Sequence, residues 1–506
     1  MKRTSRSDQS HLEVERKFDV GSVGQPLDLS RVKGVESVRE DPGFELRATY
    51  FDTDDHRLAR RGVVVRRREG GHDAGWQTKV PVGSDARLEI SVPLGTSTDQ
   101  VPDELAGDLL GLTAGRALRP VLELTTRRTE RRLVDADERE LAVVADDEVT
   151  ARPLPTGQGP DSSWRELEVE LVEGRPKVLD RVTEAVRDAG GEPSSWWSKA
   201  GRALDERVDD HHAGSAATAG DVVLAYVHEH VVELQRRDVG VRTGQPDSVH
   251  KMRVATRRLR STLATYRPLL AGERWEAVRA ELKWIGRLLG EVRDLDVLEE
   301  RMLAGVERLD PLLVVGPVRA RIQLDLRSRR RLAEAELDDA LGSQRYLALL
   351  DELSDLLTSP PLSTAAGRKP SRALRRVDRS VRRVAGALDA ADAATDPDAR
   401  DRRLHEVRKA AKRARYAAES VGPVAGKAAR RLAERMEDVQ EVLGEHQDAV
   451  TARPALREIG VRAHLSGENG FTFGVLAGVE IGRADAARAR FDGLRPGLRR
   501  STMRRS

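Results

Sequence analysis

The chain has 506 residues, enough for two to four domains, and at 39% apolar and 34% charged it has the composition of highly charged globular domains. It has no cysteine, which excludes disulfides, thiol catalysis and cysteine-ligated zinc. A net charge of +3 excludes a polycation as a whole, so any anion binding must come from local clustering. The amino terminus has no apolar core of a signal peptide, and the longest apolar runs are too short to span a bilayer. A cytoplasmic protein without a membrane partner is expected.

The texture changes near residue 205. Residues 11–204 are rich in Val, Gly, Pro and Thr and carry short alternating runs, whereas 219–495 are long Ala, Arg, Leu and Glu stretches with helical period. The expected fold class is α+β multidomain. It comprises a β-rich domain over 1–205, a small polar linker over 206–218, an all-α domain over 219–495 and a basic tail over 496–506.

The first predicted strand holds Glu13, Glu15 and Lys17 on one face and Leu12, Val14, Arg16 and Phe18 on the other. Runs of strand length follow at 48–53, 63–68, 75–80, 87–92, 121–128, 141–146 and 165–171. Arg66 and Arg68 share a face, as do Arg87 and Glu89, and Glu166, Glu168 and Glu170 lie opposite Leu167, Val169 and Leu171. One sheet face is therefore apolar and can pack on a helix such as 176–189; the other carries both signs of charge. Closed into a barrel, such a sheet has a charged lumen. Carboxylates at Glu13, Glu15, Glu168 and Glu170 require a hard cation, Mg²⁺ or Mn²⁺. The arginines and lysines require a polyanion, and a metal–polyphosphate complex satisfies both sets.

The opening E-x-E-x-K, Arg66-x-Arg68, Lys79, the Glu168-x-Glu170 strand and the late Ser198-Lys199 resemble the CYTH family, the triphosphate tunnel metalloenzymes. The resemblance implies an eight-stranded antiparallel tunnel over about 11–204 that acts on triphosphates with a divalent metal. By it, Glu13, Glu15 and Lys17 are catalytic, and Glu13, Glu15, Asp146, Glu168 and Glu170 serve the metal. Arg66, Arg68, Lys79, Arg87, Arg128 and Lys199 hold the triphosphate. Strand parity admits only one of Arg127 and Arg128, and spacing from Glu123 favours Arg128. The same alternation leaves Asp146 and Asp147 open.

The second domain contains an internal repeat. Residues 250–260 align with 405–415, with His, Arg, Arg or Lys, and Arg at offsets 0, 3, 7 and 10, within an arc of about 80° on a helix. Downstream, the Leu-Gly-Glu and Asp of 289–294 recur at 443–448. Basic stripes usually pair with acids at i±4; these two have almost none, and facing each other they would form a site for an extended polyanion. The motif is similar to the CHAD domain, a helical domain implicated in binding inorganic polyphosphate, with repeats here at about 219–365 and 370–495. By that resemblance His250, Arg253, Arg257, Arg260, His405, Arg408, Lys412 and Arg415 contact phosphates. Few aromatics accompany the stripes, so nucleic acid is not the expected partner. The expected activity is metal-dependent hydrolysis of inorganic triphosphate or polyphosphate, with association with polyphosphate granules in the cytoplasm open. The alternatives are a non-catalytic polyphosphate-binding scaffold, or action on an organic triphosphate such as thiamine triphosphate or ATP.

Overall fold

A computed structural model describes residues 10–21, 27–71, 73–82, 85–157, 159–208 and 216–499. The chain forms two compact units, one of residues up to 210 together with 238–246, the other of the remainder. Among the described residues no helix is long and apolar enough to cross a membrane.

The first unit is built on β1 (Ser10–Asp19), β2 (Ser37–Glu40), β3 (Phe44–Asp52), β4 (Val64–Glu69), β5 (Gly75–Pro81), β6 (Ala86–Val92), β7 (Arg119–Val134), β8 (Glu140–Pro153), β9 (Ser162–Leu171) and β10 (Glu192–Pro193). Short helices α1 (Arg57–Arg60), α2 (Asp103–Asp108) and α3 (Leu110–Thr113) precede the longer α4 (Lys177–Asp188) and the single turn α5 (Lys199–Ala203). The order β1-β6-β5-β4-β3-β7-β8-β9 returns to β1, so eight antiparallel strands close into a barrel. β2 and β10 join at its margins, on β7 and β1.

Alternation decides what lies on each side. On β1, Glu13 and Glu15 line the lumen. Phe18 and Val14 turn outward, into an apolar layer with Leu133, Val144, Leu167 and Val169. Helix α4 covers that layer with Val178, Leu179, Val182 and Val186, which recur at helical spacing. Fully burying one such Leu or Val contributes about 1.5–3 kcal/mol. Arg16 shares this outer face and is held by Asp180 and Thr183 of α4. At one end the barrel is filled by Tyr50, Val64, Leu122, Leu124, Val149 and Ala151, closed over by Ala200, Ala203 and Leu204 of α5 and its flank.

The helices that follow are α6 (Ala219–Arg242), α7 (Ser248–Tyr266), α8 (Arg274–Glu307), α9 (Val318–Gly342), α10 (Gln344–Thr358), α11 (Ser371–Asp392), α12 (Pro397–Ser420), α13 (Gly422–Leu465) and α14 (Phe471–Arg499). Asp396 starts α12 by accepting a hydrogen bond from the Ala399 amide at 2.7 Å. The repeated motif falls on two helix pairs, α7–α8 and α12–α13, and α7 packs on α12. Tyr266 of α7 is fully buried there, its hydroxyl 2.8 Å from Ser420 Oγ. The far ends of α8 and α13 share a core with α9 and α14 through Met302, Ile322, Leu456, Ile459 and Phe473. The expected basic tail is helical as far as Arg499; 500–506, like 209–215 of the expected linker, lie outside the described residues.

Candidate active site and polyanion groove

The barrel lumen is a cavity of about 720 Å³. Neighbouring strands deliver opposite charges to it in register: Glu13 of β1 stands opposite Arg87 of β6, Lys79 of β5 opposite Glu89 of β6, and Lys17 of β1 opposite Glu168 of β9. Lys79 Nζ lies 2.5 Å from Glu13 Oε2 and 3.1 Å from Glu89 Oε2. Arg87 Nε meets Glu15 Oε1 at 2.8 Å. Lys17 donates to Glu15 at 3.3 Å and pairs closely with Glu168. Burial pushes the Glu15 carboxyl up, but Lys17 and Lys79, with Arg87, bring it down to about 2.

A second cluster forms around Lys199. Ser198 Oγ accepts from the Gly201 amide at 2.9 Å and so caps α5. This sets Lys199 Nζ 2.9 Å from Asp147, 2.9 Å from Glu166 and 2.7 Å from Glu168. These three carboxylates each offer an oxygen within the reach of one metal ion, and the lysine ammonium stands among them. Arg128 adds a fork on Asp147 at 2.8 and 2.7 Å and a bond to Glu168 at 2.8 Å.

Two groups in the lumen are left unbalanced, in opposite senses. Glu170 forms no ion pair among the described residues, and burial, then Glu13, with Glu15 and Glu89 adding, raises its carboxyl to about 7. Arg68 pairs with Asp73 at the rim, yet burial, then Arg66 and Arg128, lower its guanidinium to about 9. Arg66 is oriented by Gln77, whose side-chain oxygen accepts from Nε at 2.8 Å. An acidic patch short of a cation thus shares one cavity with a basic patch short of an anion. The donors on the acidic side are all carboxylate oxygens, which fits Mg²⁺ or Mn²⁺.

Most residues expected for the tunnel gather here: Glu13, Glu15, Lys17, Arg66, Arg68, Lys79, Arg87, Arg128, Glu168, Glu170 and Lys199. Asp146 does not. In the β7–β8 ladder Arg128 stands opposite Asp147 and Thr129 opposite Asp146. Asp147 is therefore inside, while Asp146 is on the outer face, forked by Arg165 at 2.8 and 2.7 Å. Arg127 is exposed. Glu166 and Glu89 belong to the site although neither was among the expected metal or phosphate residues. Each shares strand parity with one that was, Glu168 and Arg87, and that was the available signal.

In the helical unit the α7 and α12 stripes approach each other. Arg257 Nε donates to the Tyr416 hydroxyl of α12 at 2.7 Å. Arg253 is clamped by Asp294 at 2.9 Å. Arg257, Arg260, Arg408 and Lys412 have no carboxylate within ion-pair distance among the described residues. Burial, then Arg408, Arg257 and Arg253, lower the Lys412 ammonium to about 7. His250 is lowered by burial and then by Arg293, Arg257 and Arg253. Two of the expected residues stand apart from these four. Arg415 has acidic partners, Glu419 one turn on and Glu437 of α13, both at 2.7 Å, and so braces α12 on α13. His405 turns to a separate cavity that it shares with Asp401 and His446.

The CYTH domain model matches residues 11–192 and the CHAD domain model residues 225–457, in agreement with the resemblance carried by the motifs. The uncharacterized protein Rv2226 of Mycobacterium tuberculosis is 35% identical over 497 residues, which cover 95% of each chain. Among solved structures, PptA from Streptomyces chartreusis is 24% identical with a TM-score of 0.47, covering 55% of this chain and 99% of its own. The CHAD domain from the plant Ricinus communis is 26% identical with a TM-score of 0.44, covering 57% of this chain and 93% of its own.

Proposed function

The chain belongs to the family that joins a CYTH domain to a CHAD domain, and from that premise we propose that it hydrolyses inorganic triphosphate or polyphosphate ends in the barrel and holds polyphosphate on the helical unit. The observation that carries this reading is the pairing of an under-compensated carboxylate, Glu170, with an under-compensated guanidinium, Arg68, in one lumen. A metal-bound phosphate chain neutralises both. A mere phosphate binder has no use for buried carboxylates, which repel its ligand.

Glu13, Glu15 and Glu170 would hold the divalent cation on the acidic side, and Asp147, Glu166 and Glu168 would hold one where Lys199 withdraws. When bound, the cation supplies charge neutralisation on the phosphate oxygens and orders a water for in-line attack. Arg66, Arg68 and Arg128 orient the chain by forked hydrogen bonds. Lys17 and Lys79, buried between carboxylates, place positive charge where the leaving phosphate gains it. Water's oxygen bonds to the phosphorus, the bridging P–O bond breaks, and a lumen carboxylate takes the proton.

Inorganic chains are favoured over organic triphosphates by the lining. Among the described residues it contains no Phe, Tyr or Trp; the flat groups it offers are the His11 ring and arginines that a phosphate chain would engage, so a thiazole, pyrimidine or adenine gains little there. The filled barrel end favours entry of a chain by its terminus.

The test is phosphate release from tripolyphosphate, ATP and long-chain polyphosphate with Mg²⁺ or Mn²⁺, for the native chain and Glu13→Gln/Glu15→Gln. Metal-dependent release, highest on inorganic chains and lost in the double variant, is expected. Folded protein that releases phosphate from none of the three overturns the catalytic reading in favour of a binding scaffold. ATP as the best substrate overturns the substrate assignment.

A further inference from the structure

Helix α11 carries a second row of arginines. Arg372, Arg376, Arg379 and Arg383, spaced by four, three and four residues, fall within an arc of about 60° and extend about 16 Å along the helix. Ala373, Val377, Ser380, Val381 and Val384 form its buried face; Arg372, Arg379 and Arg383 are exposed and Arg376 is half-buried.

Abundant arginine does not account for this row. Several surface arginines elsewhere on these helices pair with glutamates one turn away, as in Arg237–Glu233, Arg287–Glu291 and Arg330–Glu334; what sets α11 apart among the described residues is four unpaired arginines aligned on one face. None of the four on α11 has a carboxylate within ion-pair distance among the described residues. The one acid between them, Asp378, lies about 100° round the helix from the nearest. A row of like charges on one face destabilises a helix, so its upkeep needs a counter-charge from outside.

The row is also continuous with the groove. α11 packs on α12 and α7, and α7 on α8. Burial and then Arg379, Arg372 and Arg383 act on Arg376; burial, Arg383 and Arg279 act on Arg413 of α12; burial and Arg279 act on Arg260 of α7, each guanidinium being held below its ordinary value. Neighbouring cations therefore lead from Arg260, the last member of the α7 stripe, over Arg279, itself paired with Glu276 at 2.6 Å, and Arg413 to Arg383.

We propose that the α11 row extends the polyanion site, so that a phosphate chain seated in the groove continues over Arg260, Arg279 and Arg413 onto Arg383, Arg379, Arg376 and Arg372. The extension rests on the groove reading above and adds length selection to it: long chains gain contacts that short chains cannot reach. Inorganic phosphate suits the row better than nucleic acid does. Helix α11 has no aromatic residue on which a base could stack.

The test uses the full chain and a variant with Arg372, Arg376, Arg379 and Arg383 all changed to Gln, its fold checked by helical circular dichroism. Binding of long-chain polyphosphate, tripolyphosphate and single-stranded DNA is measured across a salt series. The expected result is an affinity for long chains lower by about tenfold or more, with a shallower dependence on salt, and an unchanged affinity for tripolyphosphate. Long-chain affinity and salt slope equal to the native values, while Arg253→Gln/Arg408→Gln loses binding, overturn this inference alone. A loss confined to DNA, or an equal loss for tripolyphosphate, also overturns it. No long-chain binding by the native chain removes the groove reading and the extension together.

Discussion

Arg408 lies flat across Gly444: a methyl group placed on that glycine would stand 3.2 Å from Nη2 and 3.7 Å from Cζ. The other half of the repeat has the same seat, Arg253 over Gly290, where the methyl would stand 3.4 Å from Nη2. Both glycines are buried inside long helices, where Gly costs about 0.8–1.0 kcal/mol against Ala. Two opposite effects are therefore expected from Gly444→Ala. Intrinsic helix propensity favours stability, while the displaced guanidinium weakens polyphosphate binding. Gly290→Ala, with more room, is expected to weaken it less. Chemical melts beside binding titrations check this; equal affinities for both variants and the native chain would sink the seat as a determinant of binding.

Lys199 occupies the place among Asp147, Glu166 and Glu168 that a metal ion would take. Lys199→Met leaves two buried carboxylates, Asp147 and Glu166, and the half-buried Glu168, with Arg128 and Lys17 as the remaining cations. Removing one member of a buried ion pair costs about 3–5 kcal/mol, so the variant should melt earlier in EDTA. Mg²⁺ or Mn²⁺ should restore much of that loss, because the cation then enters the vacated centre. The native chain should gain less from the same metal at this cluster. A variant as stable as native in EDTA, or one indifferent to metal, would show that the cluster is not held by charge compensation.

Much of the barrel site was legible because alternation on a strand is strict. Once Glu13 is inside, Glu15 and Lys17 must be, and the same holds for Glu168 and Glu170. Parity fails where two candidates are adjacent. Asp146 and Asp147 are separated only by the register of β8 on β7, a long-range fact; pairing the two ambiguities would have helped, since Arg128 and Asp147 are direct cross-strand partners. The helical stripes were legible through their duplication. At Arg415 the partner Glu419, one turn on, is readable in the sequence, whereas Glu437 reaches it from another helix and is not. The α11 row is less legible because α6, its counterpart in the first half of the repeat, carries no matching row.

Glu170 should make the stability of the metal-free chain depend on pH. Its carboxyl is raised from 4.5 to about 7 in the folded state. Between those values the unfolded chain has lost this proton and the folded chain keeps it. This group's contribution to stability therefore falls as pH rises from 4.5 to 7 and is level above that. Glu170→Gln should remove that slope. A divalent cation favours the ionised carboxylate, so metal should raise the melting temperature more at pH 8 than at pH 5 and release protons on binding near neutrality. Melting curves at both pH values, with and without Mn²⁺, test this; a metal-induced shift independent of pH would contradict it.

Lys412 should make polyphosphate binding respond to pH in the opposite direction. Its ammonium is lowered from 10.5 to about 7, the usual base penalised by burial and by Arg408, Arg257 and Arg253. In the free protein the folded chain has lost this proton between 7 and 10.5 while the unfolded chain keeps it, so this group's contribution to stability rises with pH across that window. A phosphate chain reverses the local field and restores the charge, so binding takes up a proton. Affinity should then be highest below pH 7 and decline as pH rises above it, until the bound-state ammonium also titrates. Lys412→Arg keeps the charge at all these values and should flatten the decline; Lys412→Gln should bind more weakly at pH 6 and converge on the native affinity at pH 9. Calorimetry in two buffers of different ionisation enthalpy measures the proton uptake directly. Equal apparent enthalpies in the two buffers at pH 7.5, or the same pH profile in Lys412→Arg as in the native chain, would assign any pH dependence to His250 or to the ligand instead.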